Sequence, residues 1–390
     1  MRVVQNSNNI LRVLKLVKQN RGISRIDISK KLSLDKSTVT VVVKRLMDLG
    51  FVEETTETLS EYQGGRKPVG LRICEDRGLI LGLEIQTDYY SAVLIDLTGK
   101  VYKRLRGEAF EADSFLEYFL KIYRQVFPEI DRMDIPLLGI GIAAAGLINP
   151  HEGIIYDSNP LGIHSPENFY EEVRPFIQVP IFIENDANCG CWAELANQDT
   201  SRPQDFLYVL GEFRRAQVQG DNTYLLAFGL GIVIGERVHY GRNFAAGEYQ
   251  SPYWNSENHS QFSVSDEKLR GVQSDREIID LVKEDVCKDL AFLVNIFNFS
   301  CVTFGGGVAK YVEELKPLLN REVAYNWSYS EKESLEIRSN PEEEVIALGA
   351  ASMLLEHLFI LVENASENPW QQKVGIELFN SFADLMGRKN

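Results

Sequence analysis

The sequence predicts an α/β protein in two unequal parts, a small basic helical module followed by a body of two similar α/β lobes. Three observations predict it. The charge is unevenly spread: residues 1–72 hold fourteen Lys or Arg against seven Asp or Glu, a net of +7. The whole chain is −15, so the remainder carries −22. Between residues 8 and 49, apolar residues recur in three short runs at helical spacing. Beyond Ile73, fully apolar runs of strand length alternate with helical segments, as in a sheet covered on both faces, and the pattern occurs twice.

The first helix is predicted over Asn8–Gln19, with Ile10, Leu11, Val13, Leu14, Leu16 and Val17 as its apolar residues and Asn20-Arg21-Gly22 as its stop. Ser24 is placed to cap a second helix, Arg25–Leu32. After the tight connection Ser33-Leu34-Asp35, a third helix runs from about Lys36 to Leu49, closed by Gly50. Its inward residues are Val39, Val42, Val43 and Leu46. Two short helices joined by a tight turn form a helix-turn-helix, whose second helix enters the DNA major groove. Ser37, Thr38 and Thr40 stand near its N-terminus, where base edges lie; Lys36, Lys44 and Arg45 suit phosphates. Phe51–Glu54 and Val69–Arg72 read as two wing strands, with Gly64-Gly65-Arg66-Lys67-Pro68 between them. Glycines let such a tip approach DNA, where Arg66 and Lys67 reach a phosphate or the minor groove.

The body begins with strands at Leu79–Gln86, Ser91–Asp96 and Val101–Gly107, then a helix at Ser114–Phe127 and an apolar strand at Leu137–Ala145. The second half follows with strands at Leu225–Ile234 and Arg237–Tyr240, and a helix at Arg276–Phe297. A strand at Cys301–Phe304 and a helix at Val308–Asn320 complete it. Arg214-Arg215 reads as part of a solvated polar insertion. The expected organisation is a DNA-binding module at 1–72, a body at 73–360 and a helical tail at 361–390. Within the tail, Val374, Ile376, Leu378, Phe379, Phe382 and Leu385 trace one or two amphipathic helices.

Composition sets outer bounds. Hydrophobic residues make up 44% and charged residues 25% of 390, ordinary for a chain with a sizeable core. No run of about 18 apolar residues suggests a membrane span, and residues 1–20 lack an apolar signal core. The five cysteines follow no regular spacing, which reads as reduced thiols and a cytoplasmic protein.

Seven segments in order resemble the ROK family. They are Gly82-Leu83-Glu84-Ile85, Leu94–Val101, Gly139–Gly146, Glu184-Asn185-Asp186-Ala187-Asn188, Gly229-Leu230-Gly231-Ile232, Ala245-Ala246-Gly247-Glu248 and Gly305-Gly306-Gly307-Val308. The resemblance runs from about residue 8 to residue 358. It includes the winged-helix subgroup that contains xylose and N-acetylglucosamine operon repressors. It implies an α/β chain with an N-terminal winged helix-turn-helix followed by a two-lobed actin-like (ribonuclease-H-like) ATPase-type sugar kinase fold. It further implies a repressor of carbohydrate-utilisation genes, acting on operator DNA as a homodimer or homotetramer and answering to a small-molecule sugar. Alternatives are a sugar kinase with an attached DNA-binding domain, or a repressor controlled by a protein partner.

The resemblance also assigns a site. Asp186 matches the family's catalytic base, and Asn159, Asn185 and Glu248 match its sugar ligands. The local sequence equally supports Asn185-Asp186 as a helix cap. The kinase chemistry is not expected to survive. The family's first phosphate hairpin reads Asp-x-Gly-Gly-Thr, whereas this chain has Glu84-Ile85-Gln86-Thr87-Asp88. Two glycines are filled and a carboxylate stands near a polyanion, so no enzyme activity and no cofactor are expected. Gly229-Leu230-Gly231 likewise lacks the hydroxyl of Gly-Thr-Gly. The family's zinc cluster has no counterpart either: Gly247-Glu248-Tyr249-Gln250-Ser251 leads into a segment without cysteine. His259 alone cannot supply four ligands, and Cys189 and Cys191 diverge on a helix, so no metal is expected.

Overall fold

The computed structural model describes residues 2–59, 69–197, 203–218, 221–256, 258–329, 334–359 and 369–387. The N-terminal module consists of α1 (Arg2–Gln19), β1 (Ile23–Ser24), α2 (Arg25–Leu32), α3 (Lys36–Asp48), β2 (Val52–Thr55) and β3 (Gly70–Ile73). Helix α1 starts earlier than the apolar periodicity implied, and β1 was not foreseen. Ser24 caps α2 as expected, its Oγ accepting from the Asp27 amide at 3.2 Å. Val39, Val42, Val43 and Leu46 of α3 are buried against α1 and α2. Strands β2 and β3 pair antiparallel from Val52–Ile73 to Thr55–Gly70, and β1 adds to the other edge of β3. Arg66, Lys67 and the glycines beside them lie outside the described residues.

The first lobe runs β4 (Leu79–Ile85), β5 (Tyr89–Asp96), β6 (Val101–Glu108), α4 (Phe115–Asp131), β7 (Leu137–Ala144), β8 (Leu147–Asn149), β9 (Ile154–Asp157), β10 (Glu167–Asn168), α5 (Phe169–Val173), β11 (Ile181–Asn185) and α6 (Asp186–Ala196). The second runs β12 (Phe206–Val218), β13 (Asp221–Ile234), β14 (Arg237–Val238), α7 (Asp266–Leu269), α8 (Asp275–Phe297), β15 (Cys301–Gly306), a 3₁₀ turn at Gly307–Tyr311, α9 (Val312–Tyr325) and β16 (Glu336–Asn340). Helices α10 (Val345–Phe359) and α11 (Pro369–Gly387) close the chain. The helix expected from Val308 thus opens with the 3₁₀ turn, which follows Gly306 at φ 70°.

Each lobe has a five-stranded sheet, ordered β11-β7-β4-β5-β6 and β14-β13-β12-β15-β16. In both, an antiparallel meander is extended by two parallel strands on the side of its first strand. The repeat seen in the sequence is therefore a repeat of topology. Helices α6 and α10 pack on each other between the sheets, α6 against β12–β13 and α10 against β4 and β7. The close approach depends on missing side chains. A Cβ on Gly82 would lie 1.9 Å from the Ala347 carbonyl oxygen, and one on Gly141 would lie 2.0 Å from that of Ala350.

One further finding departs from expectation, and another fills in what the sequence left open. The segment around Arg214 is not a solvated loop: it is the outer part of β12, paired with β13 out to Val218–Asp221. Among the described residues of the tail there is one helix, α11, which packs on α1, α10 and β7; the sequence allowed one or two helices and left their packing open. Phe379 stacks on Phe51 of the N-terminal module, ring centroids 4.8 Å apart. Phe51, Phe379, Phe382, Leu14 and Leu354 belong to one buried apolar cluster, so module, tail and body share a core. Lys18 of α1 adds an ion pair to Glu356 of α10. Among the described residues, no helix is long and apolar enough to cross a membrane.

Candidate functional site

Helix α3 presents a polar face. Lys36, Ser37, Thr40, Lys44 and Arg45 are exposed and Thr38 is half-buried, while the opposite face is packed. Thr40 Oγ1 donates to the Lys36 carbonyl at 2.8 Å, which leaves its oxygen lone pairs free to accept. Arg25 of α2 pairs with Glu54 of β2 at 3.0 Å, tying the helix pair to the wing sheet.

The second site lies where β11 meets α6. Asn185 is the N-cap of α6: its Oδ1 accepts from the Asn188 amide at 3.2 Å, and its Nδ2 donates to the Gly146 carbonyl at 3.1 Å. Both ends of this amide serve the fold, as the cap reading of the sequence anticipated. Asp186 is the first residue of the helix and is buried. One carboxylate oxygen accepts from the Ala187 amide at 2.9 Å and the other from Gln86 Nε2 at 3.4 Å. Burial raises its pKa, opposed by the Ala187 amide, Gln86 and the positive charge of Arg214.

Gln86 also donates to Glu84 at 3.3 Å, so its side chain spans the two carboxylates. Glu84 is fully enclosed and takes further hydrogen bonds from Ser91 at 2.7 Å and Tyr89 at 2.9 Å. Burial pushes its carboxyl up to about 7 despite these donors. Thr87 and Asp88 at the hairpin turn are exposed. Behind Asp186, Glu184 accepts from Asn188 at 3.1 Å and Tyr240 at 2.8 Å, and burial raises it to about 7.

Glu248 faces the same space from the second lobe, held by a backbone bridge to Gly229. It is solvent-accessible, yet surrounding protein raises its pKa, with Asp186 and Asp157 adding repulsion. Asn159 is exposed on the loop after Asp157, its carbonyl accepting from the Gly162 amide at 3.3 Å. The site therefore gathers Asp186, Glu248 and Gln86, with Asn185 behind them as a cap.

Two residues missed in the sequence join this cleft. Glu212 and Arg214 lie on one face of β12, half-buried. Burial lifts Glu212 to about 8, helped by the charges of Glu84, Asp186 and Asp88. Burial lowers the Arg214 pKa, countered by Asp186, Glu212 and Asp88. The only signal in the sequence was the paired arginine itself.

Several glycines flanking the cleft are closely approached by neighbouring atoms. A Cβ on Gly231 would meet Cys191 Sγ at 2.3 Å, one on Gly306 would meet Glu212 Oε1 at 2.2 Å, and one on Gly307 would meet Phe213 at 2.6 Å. Cys189 and Cys191 are both buried in the core on α6. After Glu248, Gln261 occupies the loop, bonding the Phe228 amide at 2.7 Å and the Phe228 and Tyr249 carbonyls at 2.8 and 2.7 Å. His259 is engaged with Asp266, Nδ1 to Oδ2 at 2.5 Å. Among the described residues, no group of three or more His, Cys, Asp or Glu has the arrangement to hold a metal. A cavity of about 530 Å³ lies elsewhere, lined by Lys18, Lys100, Glu194 and Glu356 at the junction of α1 with the body.

These features define a winged helix-turn-helix joined to a two-lobed ATPase-type body with a carboxylate-lined cleft. Residues 80–249 match the model of the ROK family, and residues 7–53 match that of the winged helix-turn-helix DNA-binding domain. The chain carries a ROK-family domain behind an N-terminal winged helix. It is 27% identical over 242 residues to the xylose repressor of Bacillus subtilis, a match covering 60% of this chain and 58% of that protein. It is 22% identical to the DNA-binding transcriptional repressor Mlc of Escherichia coli, covering 79% and 83%. The chain thus spans less than two thirds of the length of the xylose repressors it matches. Among solved structures, a ROK family transcriptional regulator described as a homologue of Escherichia coli Mlc superposes with a TM-score of 0.71 at 19% identity, covering 98% of this chain and all of that one. A ROK family glucokinase from Streptomyces griseus superposes with a TM-score of 0.55 at 16% identity, covering 71% and 99%. These likenesses establish the actin-like sugar kinase fold.

Proposed function

We propose that the protein is a cytoplasmic, DNA-binding transcriptional repressor of carbohydrate-utilisation genes, released by a sugar held at Asp186 between the lobes. The observation that carries the reading is the α3 surface. A helix that buries four aliphatic residues and exposes Lys36, Ser37, Thr40, Lys44 and Arg45 is shaped to lie in a major groove. The similarity to repressors named for xylose supports the carbohydrate link. Two copies place two such helices on a palindromic operator, with Arg66 and Lys67 reaching the backbone or minor groove from the wing.

In the cleft, Asp186 accepts a hydrogen bond from a sugar hydroxyl, with Glu248 and Asn159 at the rim and Asn185 holding Asp186 in place. Phosphoryl transfer is not part of this reading. Gln86 already bridges Glu84 and Asp186, where the family's phosphate hairpin carries a glycine. For the sugar to act as inducer, it must bind the DNA-free arrangement more tightly than the bound one.

The test is fluorescence anisotropy of the full chain on its own upstream DNA, titrated with a monosaccharide panel. Salt-sensitive binding released by one sugar in wild type, and no longer released in Asp186→Asn, is the expected result. Release that survives Asp186→Asn removes Asp186 from the site. Operator binding that no sugar relieves moves control to a protein partner. Turnover in a coupled ATPase assay with the same sugars establishes the kinase alternative, which the glucokinase likeness of the fold keeps in view.

A further inference from the structure

The β12–β13 hairpin reaches past its own sheet into the cleft. Strand β12 runs beside β15 only as far as the Gly211–Gly306 pair, while its pairing with β13 continues to Val218–Asp221. From Glu212 outward the hairpin is a two-stranded arm. Strand alternation puts Phe213 on one face and Glu212 and Arg214 on the other. Phe213 stacks on Tyr224 and meets Tyr311 edge-on, centroids 6.3 and 6.0 Å away, which sets how the arm is turned. Glu212 lies against Gly306. On the face opposite Phe213, Phe206, Tyr208 and Leu210 pack with Ala187 and Cys191 of α6. Glu212 and Arg214 continue that row towards the head of α6, where Asp186 stands. The charges of Asp186, Glu212 and Asp88 act on the guanidinium.

We propose that Arg214 is a ligand-contacting residue of the effector site, paired with Asp186 to hold the hydroxyls of an uncharged sugar, and that the site rejects the corresponding phosphosugar. This rests on the sugar reading above and narrows it. A polyol both donates and accepts hydrogen bonds. Asp186 accepts only, and Gln86 and the Ala187 amide leave some of its roughly four lone-pair directions open. Arg214 supplies what the carboxylate cannot, five N–H donors in a rigid fork. A phosphate would need positive charge that is not already shared. The Arg214 guanidinium already feels the carboxylates of Asp186 and Asp88, so its charge is shared. Another guanidinium, Arg106, lies over the Tyr89 ring at 3.9 Å and pairs with Glu343 at 3.5 Å. A phosphate dianion entering here meets the charges of Asp88, Asp157 and Asp186 as well as that of the Arg214 guanidinium.

The experiment is isothermal titration of the full-length protein with D-xylose, D-glucose, N-acetylglucosamine and the 6-phosphates of the last two. It is repeated on Arg214→Ala, Arg214→Lys and Asp186→Asn, each checked by thermal melting. Wild type is expected to bind one unphosphorylated sugar and to bind the phosphorylated probes at least tenfold more weakly. Arg214→Ala is expected to weaken the bound sugar by roughly ten- to a hundredfold, the factor carried by a charge-assisted hydrogen bond. Arg214→Lys, which keeps charge and stem, recovers part of that loss, whereas a purely structural role would track the melting temperature instead. Wild-type affinity in Arg214→Ala alongside loss in Asp186→Asn overturns the Arg214 assignment and leaves the sugar reading standing. Tighter binding of a 6-phosphate overturns the charge argument. Failure of every probe to bind wild type overturns the sugar reading and this proposal with it.

Discussion

Replacing Phe379 by Ala tests how the N-terminal module is fastened to the body. The ring is 4% exposed and stacks on Phe51, itself 1% exposed, at 4.8 Å between centroids and 21° between planes. A phenylalanine buries about 150–200 Å², and at about 25 cal/mol per Å² its loss amounts to roughly 4–5 kcal/mol. Some of that surface is already covered in the unfolded chain, and a reduction of about a fifth leaves about 3–4 kcal/mol. This agrees with the roughly 3–5 kcal/mol typical of buried Phe→Ala changes. The assay is urea unfolding followed by circular dichroism, with Asn380→Ala, exposed on the same helix, as the control expected within about 0.5 kcal/mol of wild type. Because Phe51 belongs to the N-terminal module and Phe379 to the tail, Phe379→Ala should also raise proteolytic cleavage between module and body. A loss below about 1 kcal/mol with unchanged proteolysis would refute the shared core and leave α11 as an undocked appendage.

The buried carboxyls predict a pH dependence opposite to that of ordinary salt-bridged acids. Glu84 and Glu184 are raised to about 7 and Glu212 to about 8, from an unfolded value near 4.5. Between those values the folded state holds more protons, so their contribution is full below about 4.5 and is lost as pH rises through 7–8. The melting temperature should therefore fall from pH 5.5 to 8.5, and Glu212→Gln should flatten that fall; an identical slope in the variant would discount the burial of Glu212. On the DNA side, Lys44→Ala should weaken operator binding across sequences alike and reduce the slope of log affinity against log salt by about 1. An unchanged slope would remove Lys44 from the phosphate contacts.

Much of the fold was legible because local chemistry and tertiary environment agree. Ser24 caps α2 and Val39, Val42, Val43 and Leu46 line the inside of α3, since a three-helix core asks for that period and nothing else in the chain competes. The strands of the first lobe read clearly because β4 and β7 are covered on both faces and are almost wholly apolar. The arm of β12 was read as a loop for the converse reason. One of its faces turns to a polar cleft, so Glu212 and Arg214 erase the alternation that marks a strand with a buried side.

The sequence by itself determined the helix-turn-helix, the doubled α/β body and the carboxylate at the head of α6, because caps, periodicity and apolar runs are properties of neighbouring residues. Only the tertiary structure decided which side chains share the cleft. Gln86 and Asp186 lie a hundred residues apart in sequence, and Gln86 links Asp186 to Glu84. Arg214 reaches them because the β12–β13 hairpin outruns its sheet. Only the tertiary structure, too, seated Phe379 on Phe51, the tail's apolar stripe having no address until a buried partner was brought to it. Hydrophobic burial is non-directional, so a sequence shows that a face must be covered, and the chain's topology settles what covers it.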